Sequence, residues 1–517
     1  MSISQDIHSH SRSSDQSVLT NHYLSPTKSQ ESLTTGDGSS DAFSNASTEH
    51  ESHSIPICHI FKLPNELLSH IVGLLYNEQL VSFAIACRRF HNLAGTALQE
   101  HRQLVSEWTM VSNVNKPPGY LASRVMRQIK DRRLRSYTYC LEIELGEPLL
   151  SFDNAGGALD PYILEALNDD VLPSGLQPSS PDYWELWKSD VKRSRLDAIL
   201  WTWATLLESV TSLTLYLHGL RSNLLLELFD SSSELWPDSF DSLQRVRIEQ
   251  SAIEGNPLSY RLLELSTQLT SVTDLSTAHI KLDEPTDHPI SPPFVSNVES
   301  FTLEQCYLGT RHLVALISNM HSLDHFSHTE LWPGSSWAPY TDRTAIVDCL
   351  KIAASQTLTS LELIGRAHTA AQQEPPLGSL EEFDFLQCVT LDFNALFRTL
   401  QEQPSKIQCT QLPRSIEWLK LVSNFGRLET ESVKIMLRAL LREKWERLPD
   451  LEDVVVVGIK KAELRSLRAA RIVRRLETVG VEVTLRVYED DADDKDDERD
   501  QDWLTDDGED SEECPIQ

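Results

Sequence analysis

A short apolar pattern recurs through the middle of this 517-residue chain and constrains its fold more than any other feature. In its clearest copy, VESFTLEQCYL, the apolar residues are Val298, Phe301, Leu303, Cys306 and Leu308. Alternation of apolar and polar residues predicts a strand that buries one face. Further copies begin at Val210, Leu243, Leu358, Leu380, Ile416 and Leu451, and weaker ones begin at Leu269 and Leu323.

Segments with a helical spacing of apolar residues lie between several of these copies. They begin at Arg195, Arg311, Arg343 and Glu431. Successive copies start 22 to 36 residues apart, which leaves room for one strand, one helix and their connections. Alternating strands and helices predict an α/β fold.

The pattern resembles the leucine-rich repeat, LxxLxLxxCxL, in which each repeat adds one strand to a stack. This resemblance implies an irregular α/β solenoid over residues 121–488. Cys388 and Asn424 stand in two other copies where Cys306 stands, and a polar side chain at that position can hydrogen-bond to loop backbone. A compact α/β domain with the same alternation is the alternative interpretation.

In a solenoid, the strand residues between the buried apolar ones point away from the core. They form the candidate target-binding surface, for which we select Arg245, Arg247, Glu249, Thr302, Glu304, Glu362, Asp384, Trp418 and Lys420. Trp418 stands out because exposed tryptophan is enriched at interface hot spots. The alternative for each residue is an ordinary solvated position.

Three apolar helical stripes lie close together from Lys62 onward. Pro64 suits the first turn of the first helix, and Glu66 lies near the positive end of its dipole. The stripes contain, in order, Leu67, Leu68, Ile71, Leu74 and Leu75; Leu80, Phe83, Ala84 and Cys87; and Phe90, Leu93, Ala94, Ala97 and Leu98. A unit of about 40 residues buries too little apolar surface to be stable alone. It therefore needs a disulfide, a metal or another protein surface, and only the third is available.

These stripes resemble the F-box, in the family's order. The matching residues are Leu63-Pro64, Glu66-Leu67-Leu68, Ile71, Leu75, Leu80, Phe83 where leucine is more usual, Cys87-Arg88-Arg89-Phe90 and Leu93-Ala94. F-box proteins are substrate receptors of Skp-cullin-F-box ubiquitin ligases. A helical hairpin buried in its own domain is the alternative.

The resemblance implies a non-catalytic receptor in which an F-box at residues 56–100 binds the Skp adaptor and, through it, a cullin. The repeat region would then recruit a target protein that the sequence does not identify. The residues expected to contact or support the adaptor are Leu63, Pro64, Leu67, Leu68, Ile71 and Leu75. An interaction scaffold without a ligase role is the second hypothesis, and an enzyme within residues 120–488 is the third.

No sequence motif for catalysis or a cofactor is present, since the chain lacks a Walker A loop, a GxSxG elbow, an HExxH helix and a GxGxxG turn. We therefore expect no cofactor and no catalytic residue. His321, His325 and His328 would share one face of a helix, as metal ligands do. Their segment overlaps a predicted strand, where residues 325 and 328 face opposite sides, so we expect no metal site.

The formal net charge of −31 argues against nucleic acid as a ligand. Residues 489–517 hold 16 acidic and two basic side chains, and residues 1–55 hold 16 serines. Both segments are predicted to be disordered, and residues 101–120 form the predicted linker after the F-box. Basic residues from Lys460 to Arg475 stripe a predicted helix. They are interpreted as a solvated face or as a surface that attracts the acidic tail.

The N-terminus lacks the features of a signal peptide, and no apolar run is long enough to span a bilayer. We therefore expect a protein of the cytoplasm, the nucleus or both. The eight cysteines show no CxxC spacing, so a disulfide framework is not expected. The last four residues, CPIQ, fit the farnesylation pattern at Cys514. Membrane binding is expected only if that cysteine is prenylated, and the acidic run before it opposes binding to anionic lipid.

Overall fold

The computed structural model describes residues 59–75, 77–117, 120–146, 189, 207, 209–218, 241–250, 260–280, 294–306, 308–330, 341–365, 377–393, 412–423, 428 and 430–487. The predictions for the leader, the acidic tail, Asn424, Cys514 and the helix from Arg195 lie outside these residues. The chain divides into two units, Met1–Leu63 and Pro64–Gln517. In the first unit, the described residues form the short 3-10 helix His59–Lys62 and end at Leu63.

Ten α-helices lie within the described part of the second unit. They are α1 Asn65–Leu74, α2 Asn77–Ala86, α3 Arg88–Trp108, α4 Tyr120–Lys130, α5 Tyr260–Gln268, α6 Thr310–Ile317, α7 Arg343–Ala354, α8 Thr430–Glu443, α9 Lys461–Arg468 and α10 Arg471–Thr478. A second 3-10 helix, Arg132–Tyr137, follows α4.

Within the described residues of the second unit, twelve strands form a single sheet. They are β1 Met110–Ser112, β2 Cys140–Gly146, β3 Ser212–His218, β4 Arg245–Gln250, β5 Asp274–Ala278, β6 Ser300–Glu304, β7 His325–Thr329, β8 Ser360–Ile364, β9 Cys388–Asp392, β10 Trp418–Val422, β11 Asp453–Ile459 and β12 Glu482–Val487. Every strand pairs in parallel with the next one along the chain, so the order in the sheet is the order in the sequence. The predicted α/β fold is confirmed.

One apolar residue from every strand lies in the same row across the sheet. This first row runs through Val111, Leu141, Leu213, Val246, Leu275, Phe301, Phe326, Leu361, Val389, Leu419, Val454 and Val483. All of them except Val483 are buried in one continuous core. Burying a side chain of this size contributes about 1.5–3 kcal/mol, so the row is a main source of stability.

Two copies of the predicted pattern have the wrong phase. β9 begins at Cys388 and buries Val389 and Leu391, so its copy starts at Leu386 rather than Leu380. β5 likewise buries Leu275 and Thr277, so its copy starts at Val272 rather than Leu269. With these corrections the copies start 25 to 35 residues apart. The paired register of neighbouring strands sets the phase, and the isolated pattern could not reveal it.

The prediction for the exit position of a strand is confirmed at Cys306 and wrong at Cys388. The Cys306 thiol donates to the Glu304 carbonyl oxygen at 3.3 Å and lies 3.2 Å from the Thr277 hydroxyl. Cys388 is instead the first residue of β9, because the strand lies later than its predicted copy.

Three strands were not predicted. The alternation of Leu141, Ile143 and Leu145 in β2 was visible in the sequence, but no complete copy of the repeat pattern precedes it. In β12 the apolar residues Val483, Leu485 and Val487 alternate with polar ones, and Leu485 is buried. β1 has only three residues, which is too short for any periodicity to be detected.

A buried ion pair links the carboxyl ends of neighbouring strands to α7. The Arg343 Nη1 atom, in the first residue of α7, lies 2.9 Å from the Asp392 Oδ2 atom at the end of β9. The Gly365 backbone amide, just after β8, donates to the same carboxylate oxygen at 2.7 Å. A Cβ atom at residue 365 would lie only 0.9 Å from the Arg343 Nη2 atom, so the guanidinium occupies the space that a side chain would need.

We expect the substitution Gly365→Ala to displace the guanidinium and to lower the free energy of unfolding by about 3 kcal/mol, because separating a buried ion pair leaves charges without compensation. Urea unfolding measures this change. Gly95→Ala in α3 is the matched control, because a methyl group there meets nothing within 4 Å. It should be neutral or stabilising by up to about 1 kcal/mol. An unaltered stability of Gly365→Ala would contradict this account.

His328 lies on the buried side of β7, two residues after Phe326 of the first row, and it is paired with Leu303 of β6 and Leu363 of β8. Burial lowers its pKa from 6.5 to about 4. The unfolded chain therefore takes up a proton below pH 6.5 that the folded chain takes up only near pH 4. This contribution to stability is complete above pH 6.5 and is lost as the pH falls towards 4.

We expect the lost stability to be on the order of 3 kcal/mol between pH 6.5 and 4. The measurement is urea unfolding across this pH range for the natural chain and for His328→Leu, which should show a weaker pH dependence. His321→Leu is the control, since it removes an imidazole that is exposed in a turn instead of buried in the core. Equal pH profiles for His328→Leu and the natural chain would refute the assignment.

Candidate interaction surfaces

The first three helices of the second unit share a small core of their own. Both α1 and α2 pack on α3, and the buried residues are Val72, Leu80, Ala84 and Ala94, with Leu75, Phe83, Ala97 and Leu98 packed against them. Phe83 and Phe90 stack with ring centroids 4.2 Å apart. The Arg89 guanidinium donates to the Asn65 Oδ1 atom at 2.7 and 3.0 Å, which joins the beginnings of α1 and α3.

The structure divides the predicted adaptor-binding residues between surface and interior. Leu67 is 51% exposed, and Pro64 is exposed as well. Ile71 and Leu75 are partly buried, whereas Leu68 is fully buried and can only support a contact. Leu63 belongs to the first unit, where it is partly buried.

Four large apolar side chains of α1 and α2 are exposed, and we call them the helical surface. They are Leu67, Leu74, Val81 and Ile85, and Ile85 is 77% exposed. Leu74 was predicted as part of the first stripe, while Val81 and Ile85 were missed. Both missed residues lie outside the second apolar stripe, so the helical period already placed them on the outer side of α2.

Helix α3 reaches from this small core to the core of the sheet. It has 21 residues, and its last residue, Trp108, is fully buried with the apolar residues of the sheet. The guanidinium groups of Arg124 and Arg127 in α4 lie 4.4 and 4.8 Å from the Trp108 ring centroid. The helix crosses the predicted boundary at residue 100, so residues 101–120 contain its last two turns and β1. The domain boundaries themselves stay predictions.

The junction between α3 and the sheet is held by polar contacts. The Glu107 carboxylate accepts hydrogen bonds from Arg124 at 2.8 Å and Arg127 at 2.6 Å. Partial burial opposes ionisation of Glu107, but these bonds outweigh it and lower the pKa of the carboxyl group. Asn113 follows β1 and makes hydrogen bonds in both directions with the Glu144 backbone, at 2.7 and 3.0 Å. Its side chain thus extends the β1–β2 ladder beyond β1.

The side of the sheet opposite the apolar rows is the polar sheet face. The Arg247 guanidinium lies 3.1 Å from Glu249 on its own strand and 3.7 Å from Glu304 two strands away. It can reach that far because β5 presents only Ser276 and Ala278 between them. Three predicted target-binding residues are therefore brought together.

The remaining predicted residues are distributed along the same face, with one exception. Arg245, Thr302, Glu362, Trp418 and Lys420 lie on β4, β6, β8 and β10 at positions that alternate with buried residues. The Ser327 hydroxyl donates to Glu362 at 2.7 Å.

Asp384 is the exception, and its assignment to the strand surface is wrong. It lies in the turn before β9 and accepts a hydrogen bond from Gln356 at 2.9 Å. The misplaced phase of the Leu380 copy caused this error.

Sequence reasoning missed a polar pair on β2 and β3. The Tyr216 hydroxyl donates to Glu142 at 3.0 Å. Partial burial and this hydrogen bond raise the pKa of Tyr216 to about 12, so the phenol stays protonated and can donate. Tyr216 alternates with the buried Leu215 and Leu217, and this pattern could have placed it on the polar sheet face.

His321, His325 and His328 do not share one face, and Cys306 and Cys349 are buried. His321 lies exposed in a turn, while His325 and His328 lie on opposite sides of β7. Within the described ranges, no three His, Cys, Asp or Glu side chains gather as metal ligands do. Burial raises the pKa of Cys306 and of Cys349 to about 11, which keeps both thiols protonated and poorly nucleophilic at neutral pH.

Among the helices that the structure describes, none combines the length and hydropathy of a transmembrane segment. A comparison with protein-family models found no match for this chain. A search of curated proteins found no match either.

Proposed function

We propose that the chain is the target-recognition subunit of a Skp-cullin-F-box ubiquitin ligase. In this proposal, α1–α3 bind the Skp adaptor and the polar sheet face binds the target protein. The observation that carries it is the helical surface, together with the F-box-like order of residues from Leu63 to Ala94. Single exposed apolar residues are ordinary, whereas a contiguous exposed apolar patch marks a protein-binding site. The proposal takes the four residues on these two short helices as one such patch.

We also propose that residues 121–488 form a leucine-rich-repeat-like α/β solenoid. The sequential strand order, the parallel pairing and the shared apolar row support this proposal. A solenoid offers an extended row of outward side chains, which suits recognition of a protein surface better than enclosure of a small substrate.

Helix α3 gives the proposed receptor a mechanical role that requires no catalytic residue. A continuous helix anchored in both cores would hold the bound target at a fixed distance from the adaptor. Positioning a lysine of the target near the ubiquitin thioester raises its effective concentration, and this accelerates transfer. The protein would act in the cytoplasm, the nucleus or both.

The adaptor contact can be tested with the double variant Leu67→Asp, Ile85→Asp in a pull-down of the full chain from cells. Both side chains are exposed, so the fold should survive while burial of a carboxylate in the contact is disfavoured. We expect recovery of the adaptor and cullin to fall at least about tenfold, which corresponds to about 1.4 kcal/mol.

Ile352→Asp is the matched control, because Ile352 is 88% exposed on α7, far along the chain from the helical surface. It should leave adaptor recovery unchanged. If the natural chain recovers no adaptor, the ligase assignment fails, and an interaction scaffold becomes the better interpretation. Equal losses of adaptor recovery in Ile352→Asp and in the double variant would also contradict the ligase assignment.

The polar sheet face can be tested with Trp418→Ala, with Trp445→Ala as the control. Trp445 is 71% exposed in the turn after α8, whereas Trp418 lies on β10. If Trp418 is a hot spot, its truncation should weaken recovery of target proteins about 30-fold, or about 2 kcal/mol, and leave adaptor recovery intact. Quantitative mass spectrometry of co-purified proteins measures both. Partners lost only with Trp445→Ala would place the target site elsewhere.

A further inference from the structure

The described residues near the end of the sheet carry an excess of positive charge in a strongly acidic chain. Between Lys460 and Val487 there are eight basic and three acidic side chains, while the whole chain has a net charge of −31. The sequence alone left two interpretations open for these residues, a solvated helix face or a surface for the acidic segment.

The structure shows that the basic residues occupy the outer sides of two short helices that pack against β12. Helix α9 buries Leu467, and α10 buries Ile472, Val473 and Leu476. The side chains on the opposite sides are exposed, and we call them the basic surface: Lys461, Arg465, Arg468, Arg471, Arg474 and Arg475. Lys461, Arg465 and Arg468 of α9 are three, four or seven residues apart and align along one side, and in α10 Arg471 aligns in the same way with Arg474 and Arg475.

The acidic residues nearby do not neutralise this surface. Glu463 of α9 accepts from the Thr430 backbone amide at 2.8 Å and from the Thr430 hydroxyl, and it lies 3.9 Å from Lys460. The side chains of five members of the basic surface make no ion pair or hydrogen bond within the described part of the chain: Lys461, Arg468, Arg471, Arg474 and Arg475. Like charges held on adjacent helices attract a polyanion more strongly than isolated exposed residues do.

The strongest acidic sequence in the chain begins two residues after β12. Residues 489–500 contain nine acidic and two basic side chains. The turn at Gly480 reverses the chain between α10 and β12, and both pack together, so β12 ends near the beginning of α10 at Arg471. Each helix is about 12 Å long, and ten extended residues reach about 33 Å. The segment is therefore long enough to follow both helices.

We propose that the acidic segment from Glu489 occupies the basic surface of α9 and α10 in the same chain. A short tether keeps the local concentration of the segment high, so weak individual ion pairs suffice for occupancy. The contact is electrostatic and largely exposed, and salt weakens it. It reserves the basic surface for this segment and reduces binding of other polyanions. This inference is independent of the proposed ligase function.

The test is carbodiimide cross-linking of the full chain, which joins a lysine amine to a nearby carboxylate, followed by peptide mass spectrometry. We expect links from Lys460 or Lys461 to carboxylates at residues 489–500, with a yield at least about fivefold lower in 0.5 M salt than in 0.02 M salt. The yield should not depend on protein concentration. A yield that rises with concentration would indicate a second copy as the occupant and overturn the proposal.

Two variants with equal changes of charge make the test specific. Arg474→Gln with Arg475→Gln should lower the yield at least about threefold, because two of the attracting charges are removed. Arg102→Gln with Arg311→Gln removes two exposed charges from α3 and α6 and should not alter the cross-linking yield. Equal yields in the two double variants, or no links at low salt, would refute the proposal.

A binding measurement provides a second readout that needs no reactive lysine. The probe is fluorescent polyglutamate of about 30 residues. A full-length variant in which the carboxylates of residues 489–500 are changed to amides should bind the probe at least about fivefold more tightly than the natural chain, because the competing segment is neutralised. Equal affinities would show that the segment does not occupy the basic surface.

Discussion

The stacking of one apolar row across twelve parallel strands is the interaction on which the rest of this structure depends. Side chains alternate along a strand, so a slip of one residue in any strand would turn its apolar residues to solvent and its polar residues into the core. Parallel pairing and apolar burial therefore require the same register. The corrected copies start 25 to 35 residues apart, so the same register is kept although the connections differ in length.

The same register creates the polar sheet face. Neighbouring strands lie about 4.8 Å apart, so the outward side chains form rows at fixed spacing. Residue size then decides which of them interact. Arg247 approaches Glu304 across β5 because Ser276 and Ala278 are small. Tyr216 of β3 reaches Glu142 because β3 lies directly beside β2. The resulting surface has preformed hydrogen bonds, which reduces the entropic cost of binding a partner.

Helix α3 connects this sheet to the small helical core. Its first half packs with α1 and α2, and its last residue, Trp108, is buried with the apolar residues of the sheet. A continuous helix shared by two cores fixes the distance between them, and the proposed receptor needs a fixed distance between the adaptor and its target. The basic surface lies at the other end of the strand order, beside β12, so its occupancy and adaptor binding involve separate elements.

Much of the fold was predictable because its periodicities are local. The copies at Val210, Leu243, Val298, Leu358, Ile416 and Leu451 all precede observed strands, and the helices from Arg311, Arg343 and Glu431 correspond to α6, α7 and α8. The strand surface around Arg247 and Trp418 followed from the same alternation. The copies at Leu269 and Leu380 failed because two overlapping apolar patterns fit equally well in isolation.

The sequence by itself determined the alternation of strands and helices, the apolar stripes of the first helices and the separation of charge between the basic helices and the acidic segment. These depend on residue type and spacing along the chain. Only the tertiary structure decided the phase of β5 and β9, the burial of Leu68 beside the exposure of Leu67, and the ion pair between Arg343 and Asp392. Each of these depends on which residues from distant parts of the chain become neighbours, and pairing across the sheet settles that choice.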